Sequence, residues 1–241
     1  MYAWGAGTNG RLGLGDLVSR SSPVQVGALT TWSKVSGGAE STIAVKTDGT
    51  LWTWGGNSAG QLGHDDRTAR NSPVQVGGLT TWSKVAAGGY HMLAIKTDGT
   101  LWAWGSTQKG QLGIGAASGY RSSPVQVGAL TTWFDVAANG YYSSGGTTSD
   151  NKLYFWGHNN YGQVGDNSVT QRNDPTQVGS LTNWQLVGGG SYMSSAIKTD
   201  GTLWTWGSNA SGELGNNSRV NASSPVQIGS ATFLHDVSAP I

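Results

Sequence analysis

Several short patterns in the sequence resemble catalytic or cofactor motifs, but none has the context that its chemistry requires. Gly5–Gly10 has the G-x-G-x-x-G spacing of a dinucleotide-binding loop, yet no helical period follows to supply a helix N-terminus for a pyrophosphate. Gly105–Gly113 is glycine-rich but has no Gly-Lys-Ser/Thr, which excludes a P-loop. His64, Asp65 and Asp66 are the one local cluster of metal-ligand types, and the four histidines occupy different repeat positions. We therefore expect no catalytic residue, no cofactor and no metal.

Amphipathic aromatic residues and cations are the better candidates for function, as parts of a binding surface. Such residues are common in contacts with protein or sugar. The predicted partner-binding residues are Tyr90, His91, Lys109, Tyr120, Arg121, Tyr141, Tyr142, Tyr161 and Tyr192. Two other interpretations stay open. The tyrosines could instead fill a central channel, and Arg121 could hold loop carbonyls, because arginine recurs at the same place before a proline at Arg20, Arg70 and Arg172.

A repeat of about fifty residues supplies the elements that position these side chains. A Trp-Gly pair recurs at Trp4, Trp54, Trp104, Trp156 and Trp206. Two other features recur with the same spacing. One is a proline just before sequences like Val-Gln-Val-Gly, and the other is an aromatic residue just after sequences like Leu-Thr-Thr. A period of this length indicates a propeller, a solenoid or an array. All twelve tryptophans hold fixed repeat positions, so we expect them to pack between units.

Each unit reads as four short strands. In the second unit, alternation over Thr42–Lys46 is followed by the hairpin signal Thr47–Thr50 and by the alternating strand Leu51–Gly55. A glycine- and asparagine-rich loop then ends in Ser-Pro, and the last strand is predicted at Val74–Val76, with Pro73 at its start. Because the strands alternate in direction, the first turn and the long loop must share one face, which varies between units. The Thr-Asp-Gly turns share the other, nearly invariant face.

The repeats predict an all-β fold, a five-bladed β-propeller of four-stranded antiparallel blades in a single domain, residues 1–241. A linear stack is the alternative, but the two chain ends read as halves of one blade rather than as caps. His235–Ala239 resembles Ser33–Gly37 and is predicted to close the ring by pairing with Met1–Gly5 and Val24–Gly27. The sequence for one strand is missing between these halves, so the first blade should lack a strand and could recruit a second subunit at its exposed edge.

Composition narrows the function classes further. Among 241 residues only 11% are charged and 39 are glycine, as expected for many tight turns in a closed β structure. A formal net charge of +1 gives no general attraction to nucleic acid. Zero cysteines exclude a disulfide framework. With no long apolar run and a repeat strand at the start, we expect a soluble protein without signal peptide or membrane insertion.

The amino-acid sequence of the repeat resembles that of a known family. The string at Lys46–Gly55, followed by Asn57 and by Gly-Gln-Leu-Gly at Gly60–Gly63, resembles the repeat of the regulator-of-chromosome-condensation family across the whole chain. The founder of that family is a seven-bladed exchange factor for the GTPase Ran, with an inserted β-wedge that this chain lacks. The family's Gly-x-x-His element is matched here by His91 alone. The resemblance extends to a secreted bacterial propeller that inhibits β-lactamases, and the wording is similar to repeats in bacteriophage structural and fibre proteins.

These observations predict a non-enzymatic binding or structural module whose partner is a protein or a surface glycan. The preferred context is a phage virion or a bacterial surface-recognition component. The alternative is a regulator of another enzyme, either a GTPase exchange factor or an inhibitor of propeller type. An engineered or metagenomic repeat chain is a third interpretation, because the units are so alike. A shared fold carries no common chemistry, so the surface must decide between them.

Overall fold

The computed structural model describes residues 1–28 and 31–230, and this part of the chain is an all-β fold as predicted. Its eighteen strands form four antiparallel sheets of four strands and one sheet of two strands. A three-residue 3₁₀ turn, Thr8–Gly10, is the one helical element in the same described ranges. Every strand pairs with its neighbour in sequence, so each sheet is a simple meander.

The first sheet contains two strands, β1 (Tyr2–Gly5) and β2 (Arg20–Gln25). The second and third sheets comprise β3 (Trp32–Gly37), β4 (Ser41–Lys46), β5 (Leu51–Gly55) and β6 (Arg70–Gln75), then β7 (Trp82–Ala87), β8 (His91–Lys96), β9 (Leu101–Ser106) and β10 (Tyr120–Gln126). The fourth and fifth sheets comprise β11 (Trp133–Asn139), β12 (Ser143–Thr148), β13 (Leu153–Gly157) and β14 (Arg172–Gln177), then β15 (Trp184–Gly189), β16 (Met193–Lys198), β17 (Leu203–Gly207) and β18 (Ala222–Ile228).

Strand register places the two kinds of connection on opposite faces, as the alternation of strand direction requires. In the second sheet Gly55 pairs with Ser41 on one side and with Arg70 on the other. The β3–β4 turn and the long β5–β6 loop therefore leave from the same edge, which we call the variable face. The turn at Asp48 lies at the opposite edge of the sheet, beyond the pairing of Val45 with Leu51.

The last strand of each sheet begins earlier than predicted. β6 starts at Arg70 rather than at Val74, and its pairing with β5 is irregular between Arg70 and Val74. Pro73 therefore lies within a bulge and not at the strand start. The physical reason is that a proline has no N–H to donate, and an irregular ladder leaves that position without a required bond.

A local hydrogen-bond network explains why the sequence Thr-Asp-Gly-Thr-Leu-Trp is repeated. Thr50 donates its hydroxyl (2.6 Å) and its backbone N–H (3.0 Å) to a carboxylate oxygen of Asp48. The Trp52 indole N–H donates in turn to the Thr50 hydroxyl at 2.8 Å, and the ammonium of Lys46 lies 3.4 Å from the centroid of the Trp52 ring. This network closes the hairpin turn and recurs at Asp98 and Asp200.

The core lies between successive sheets. Ile43, Leu51 and Val76 of the second repeat pack with Met92 and Trp104 of the third, and all are at most 4% exposed. Equivalent clusters join the third repeat to the fourth and the fourth to the fifth. The prediction that tryptophans pack between units is therefore confirmed for the buried members of these clusters, Trp82, Trp104, Trp133, Trp156, Trp184 and Trp206, but not for Trp4.

One hydrogen bond marks every contact between neighbouring sheets, which we call a junction. The indole N–H of the Trp-Gly tryptophan donates to a backbone carbonyl in the long loop of the preceding repeat. The four pairs are Trp54 with Arg11 at 3.0 Å, Trp104 with Gln61 at 2.8 Å, Trp156 with Gln111 at 2.9 Å and Trp206 with Gln163 at 3.0 Å. A glycine two residues after each accepting residue leaves room for the ring.

The two ends of the described region differ from this pattern. Trp4 holds the same repeat position in the first sheet but is 61% exposed. The predicted closing segment, His235–Ala239, lies outside the described residues. The four complete sheets and the two-stranded first sheet account for five repeats.

Candidate partner-binding surface

Six aromatic rings form a continuous row on the variable face, which we call the aromatic belt. Neighbouring rings along it have centroids 5.3–6.2 Å apart. The order along the row is Tyr90, Tyr141, Tyr142 and His158, with Tyr161 and Tyr192 next to each other at its end. The structure thus brings five of the predicted tyrosines together from three different repeats.

The turns between the first two strands of each sheet hold this row in place. Tyr90 lies in the β7–β8 turn, Tyr141 and Tyr142 in the β11–β12 turn, and Tyr192 in the β15–β16 turn. A Cβ on Gly89 would collide with the ring of Tyr141, so glycine is needed there for the ring to lie on the neighbouring backbone. Such close packing fixes the aromatic positions before any partner binds.

The end of the belt is open to solvent and its start is partly covered. Tyr161 is 40% exposed and Tyr192 is 43% exposed, whereas Tyr90 is half-buried. Burial raises the pKa of Tyr90, and the nearby Glu40 carboxylate and the hydroxyls of Tyr141 and Tyr142 add to the rise. The phenol at this end therefore stays neutral at physiological pH and can donate a hydrogen bond.

His158 belongs to the belt, although the sequence analysis did not select it. Its Nδ1 lies 2.8 Å from Nε2 of Gln163, and burial, with a smaller effect from the charge of Lys109, lowers the pKa of the ring. A neutral imidazole therefore packs among the tyrosines in tilted and edge-on contacts. A signal was present: the residue after the Trp-Gly pair is Ala, Gly or Ser in the other four repeats and His only here.

A small cavity adjoins the start of the belt. It has a volume of about 180 Å³ and shares Tyr90 with the belt. The guanidinium of Arg67 lies 4.8 Å from the ring centroid of Tyr120, and Gln108 donates to the Tyr120 hydroxyl at 2.9 Å. This volume is below the range of typical small-molecule sites. Arg67 was not among the predicted residues.

The prediction for His91 is wrong. Its side chain is 0% exposed and its Nε2 lies 2.9 Å from the Ser144 hydroxyl of the next sheet. Burial lowers its pKa from 6.5 to about 4. Its position opens strand β8 instead of extending from the turn, so the imidazole lies beneath the surface and joins two sheets. It cannot contact a partner.

The remaining predicted cations lie beside the belt. Lys109 is exposed and close enough to His158 to affect the pKa of that ring. Arg121 is half-buried and donates to the carbonyl of Tyr120 at 3.0 Å. Its counterpart Arg70 donates to a loop carbonyl at 2.6 Å and pairs with a carboxylate oxygen of Asp66 at 2.6 Å. Arg20, Arg70 and Arg172 therefore stabilise the long loops, whereas Arg121 donates to the preceding residue of its own strand.

No cluster of three His, Asp or Glu side chains suited to a metal occurs within residues 1–28 and 31–230. His64 lies 3.0 Å from the Thr53 hydroxyl, and the carboxylate of Asp66 is taken up by Arg70. Both candidate ligands thus have structural partners. In the same described ranges, no helix has the length and apolar character to cross a membrane.

Meandering four-stranded sheets joined face to face by tryptophan junctions define a β-propeller type of repeat protein. A family model for the RCC1-like domain matches residues 1–239. The chain belongs to this family. A search of curated protein sequences gives no match.

Solved structures share the fold at low sequence identity. Human WBSCR16 matches with a TM-score of 0.85 at 20% identity, over 98% of this chain and 64% of that one. Yeast RCC1 (Prp20), solved in complex with Kap60, matches with a TM-score of 0.79 at 21% identity over 91% and 54%. Prp20p of Saccharomyces cerevisiae matches in a second structure with a TM-score of 0.78 at 20% identity over 95% and 59%. This chain therefore spans less than two thirds of each of these relatives.

Proposed function

We propose that this chain is a non-enzymatic protein-binding module that uses the aromatic belt and the adjoining cavity as its contact surface. The observation that carries the proposal is the continuity of the row: six rings from three repeats meet on the one face whose sequence varies. Aromatic side chains of this kind supply most of the binding free energy in protein interfaces. The opposite, nearly invariant face carries the hairpin networks of the Asp-Gly turns at Asp48, Asp98 and Asp200.

The belt is suited to binding because it is held in place before a partner arrives. Tyrosine offers a large contact area with few rotatable bonds, and rings already packed on neighbouring turns lose little conformational entropy on association. The cavity beside Tyr90 and Tyr120 would then accept one side chain of the partner. Lys109 and Arg67 lie next to the belt and would favour a partner with acidic groups around the contact.

Relatives support a protein over a glycan as the partner class. The structures of yeast Prp20 are described as a complex with Kap60 and in terms of binding to Gsp1p and histones, all of them proteins. These partners are facts about Prp20, and this chain spans 54–59% of its length. What transfers to the proposal is the use of a propeller surface to bind another protein.

Two contexts for such a module make different demands on the partner. A component of a phage virion or a bacterial surface would bind without changing any reaction rate, and the repeat wording favours this context. A regulator, whether a GTPase exchange factor or an enzyme inhibitor, would bind an enzyme and change its rate, and the similarity to Prp20 favours this one. Measuring the activity of any captured enzyme with and without this chain separates the two.

The contact surface is tested with a double variant of two exposed belt residues, Tyr161→Ala/Tyr192→Ala. The matched control is Leu130→Ala, which removes a 41% exposed apolar side chain from a linker on the opposite face. The double variant should lose about 2 kcal/mol or more of binding to a captured partner, as truncated aromatic anchors do, whereas the control keeps wild-type affinity. Equal affinities of all three proteins, measured by calorimetry or surface plasmon resonance, would show that the belt is not the contact surface.

A further inference from the structure

The junction described above consists of more than one hydrogen bond. A backbone N–H in the long loop, four residues after the one that receives the indole, donates to a carbonyl in the last strand of the next sheet. The bonds are Gly15 to Asn71 at 2.8 Å, Asp65 to Ser122 at 2.8 Å, Gly115 to Asn173 at 3.1 Å and Asn167 to Ser223 at 2.8 Å. Each donor residue is a glycine with positive φ, or an Asp or Asn with φ near +60°. The junction is thus a defined recognition unit with an indole side and a loop side.

The first sheet has an indole side that nothing in the described chain uses. Trp4 is 61% exposed, whereas Trp54, Trp104, Trp156 and Trp206 are at most 1% exposed. Gly5 also lacks a neighbour, but for a different reason, because the first sheet has no described strand on the free edge of β1: among the described residues no atom lies within 4 Å of a Cβ placed on it. At the equivalent Gly105 such a Cβ would lie 2.8 Å from the Cα of His91.

The fifth repeat has the matching loop side, also unused. At Gly13, Gly63, Gly113 and Gly165 a Cβ would lie 2.6–2.9 Å from the Nε1 of the docked tryptophan. At Gly215 the nearest described atom is the Cγ2 of Ile228, 3.8 Å away. Asn217 has φ +57°, like its counterparts Asp65 and Asn167 at +60° and +59°. The loop is therefore already shaped to receive an indole and a strand.

We propose that a second copy of this chain supplies the missing half, with its Trp4 indole seated over Gly215 of the first copy. In this head-to-tail contact the Trp4 N–H donates to the Glu213 carbonyl, and the Asn217 N–H donates to the carbonyl of Ser21, which follows Arg20 as Asn71 follows Arg70. Among the described residues neither half is covered within one molecule, since Trp4 is 61% exposed and Ile228 alone comes within 4 Å of a Cβ on Gly215.

A second copy is favoured over other partners because the uncovered indole side of one copy matches the uncovered loop side of the other. Four contacts of the same type already hold within the chain, so the donor, the acceptor and the glycine slot are known from one molecule. The contact is heterologous, since different surfaces of the two copies meet, and it leads to a closed ring or to an open chain of subunits. The alternative is isologous pairing of two β1 edges, which exposed strand edges favour.

The test uses two variants that each remove one half of the contact. Trp4→Ala removes the indole side. Gly215→Asn fills the slot: its φ of +68° suits asparagine, as at Asn167, and no described atom other than Ile228 lies near its Cβ. Gly179→Asn is the control, because it also has positive φ (+63°) and open space but lies in a linker of the opposite face.

Sedimentation velocity between about 1 and 100 µM, a range that covers weak interfaces, should show concentration-dependent association of the wild type and of the Gly179→Asn control. Each single variant should associate at least about 30-fold more weakly, as for loss of a central anchor. An equimolar mixture of the two variants should form a dimer and nothing larger, because it contains one intact half of each kind. A monomeric wild type at 100 µM overturns the proposal, and so does association of Trp4→Ala alone, which would indicate pairing through the β1 edge.

Discussion

Trp4 and Trp104 occupy the same position of the repeat and are preceded and followed by similar residues, yet their environments are opposite. Trp104 is fully buried and its indole donates to the Gln61 carbonyl at 2.8 Å, whereas Trp4 is 61% exposed. The strand that carries each ring is the same in kind. The difference comes from the neighbour: Trp104 has the long loop of the second repeat against it, and Trp4 has no such loop in its own described chain.

The loop side shows the same contrast. Gln111 is 0% exposed because the fourth sheet covers it, while Glu213 at the same position of the fifth repeat is exposed. Both side chains accept a local backbone N–H, from Lys109 and Ser211, each at 2.8 Å. The loop conformation therefore forms without a neighbouring sheet, and the neighbour decides only whether it is buried. Comparing equivalent positions inside and at the ends of the array isolates the energetic effect of a junction.

The largest difference in unfolding free energy is expected between the variants Trp104→Ala and Trp4→Ala. Removing the buried ring should cost about 3–5 kcal/mol of unfolding free energy and lower the melting temperature by roughly 10 °C in a domain of this size. Removing the exposed ring should cost less than about 0.5 kcal/mol. Thermal melts at about 1 µM, where weak association is negligible, measure both. Similar losses for the two variants would show that Trp4 is buried in solution and would remove the contrast.

The junction between the third and fourth sheets should become less stable at acidic pH, because His91 of the third sheet lies against Ser144 of the fourth. The pKa of His91 falls from 6.5 in the unfolded chain to about 4 in the folded one. Between these values the unfolded state binds the proton and the folded state does not, so the free energy of unfolding decreases as the pH falls from 6.5 towards 4. The full decrease is about 3 kcal/mol at 1.36 kcal/mol per pKa unit.

Urea denaturation at pH 7 and pH 5 measures this loss, and His91→Ser, which copies Ser41 of the second repeat, is the control. The control should lose less stability between the two pH values than the wild type. Asp135 acts in the opposite direction, because burial raises its pKa despite the nearby Lys84, but it is present in both proteins and cancels in the difference. The same pH dependence in both would mean that His91 is not the group responsible.

A smaller difference in stability is expected between two single variants of equivalent loop residues, Gln111→Glu and Glu213→Gln. Nε2 of Gln111 donates to the Ser106 hydroxyl and to the Tyr141 carbonyl, both at 3.3 Å. A carboxylate there loses both donors and faces a carbonyl, which should cost about 2 kcal/mol. Glu213→Gln keeps its acceptor oxygen in solvent and should change stability by less than about 0.5 kcal/mol. Chemical denaturation checks both, and a large change for Glu213→Gln would contradict an exposed fifth loop.

Much of the binding surface could be predicted because strand alternation assigns each turn to a face. Tyr90, Tyr141 and Tyr192 follow from that rule, since each occupies the first turn of its repeat. His158 was missed although it follows β13 directly and begins the long loop, because it was considered only as a possible metal ligand. His91 was misassigned for a different reason: one residue of register separates a turn side chain that points to solvent from a strand side chain that points inward.

The sequence by itself determined the local units: the period of the repeat, the antiparallel meander, the Asp-Gly turns and the tryptophan positions. These local units depend on interactions between residues close in the chain, such as the hydrogen bond from Trp52 to Thr50. They therefore recur wherever the same short sequence recurs. The tertiary structure alone decided which surfaces are covered. Burial of an indole requires a second repeat at the correct distance, and that is why Trp54 lies in a core while Trp4, at the same position of the repeat, is exposed to solvent.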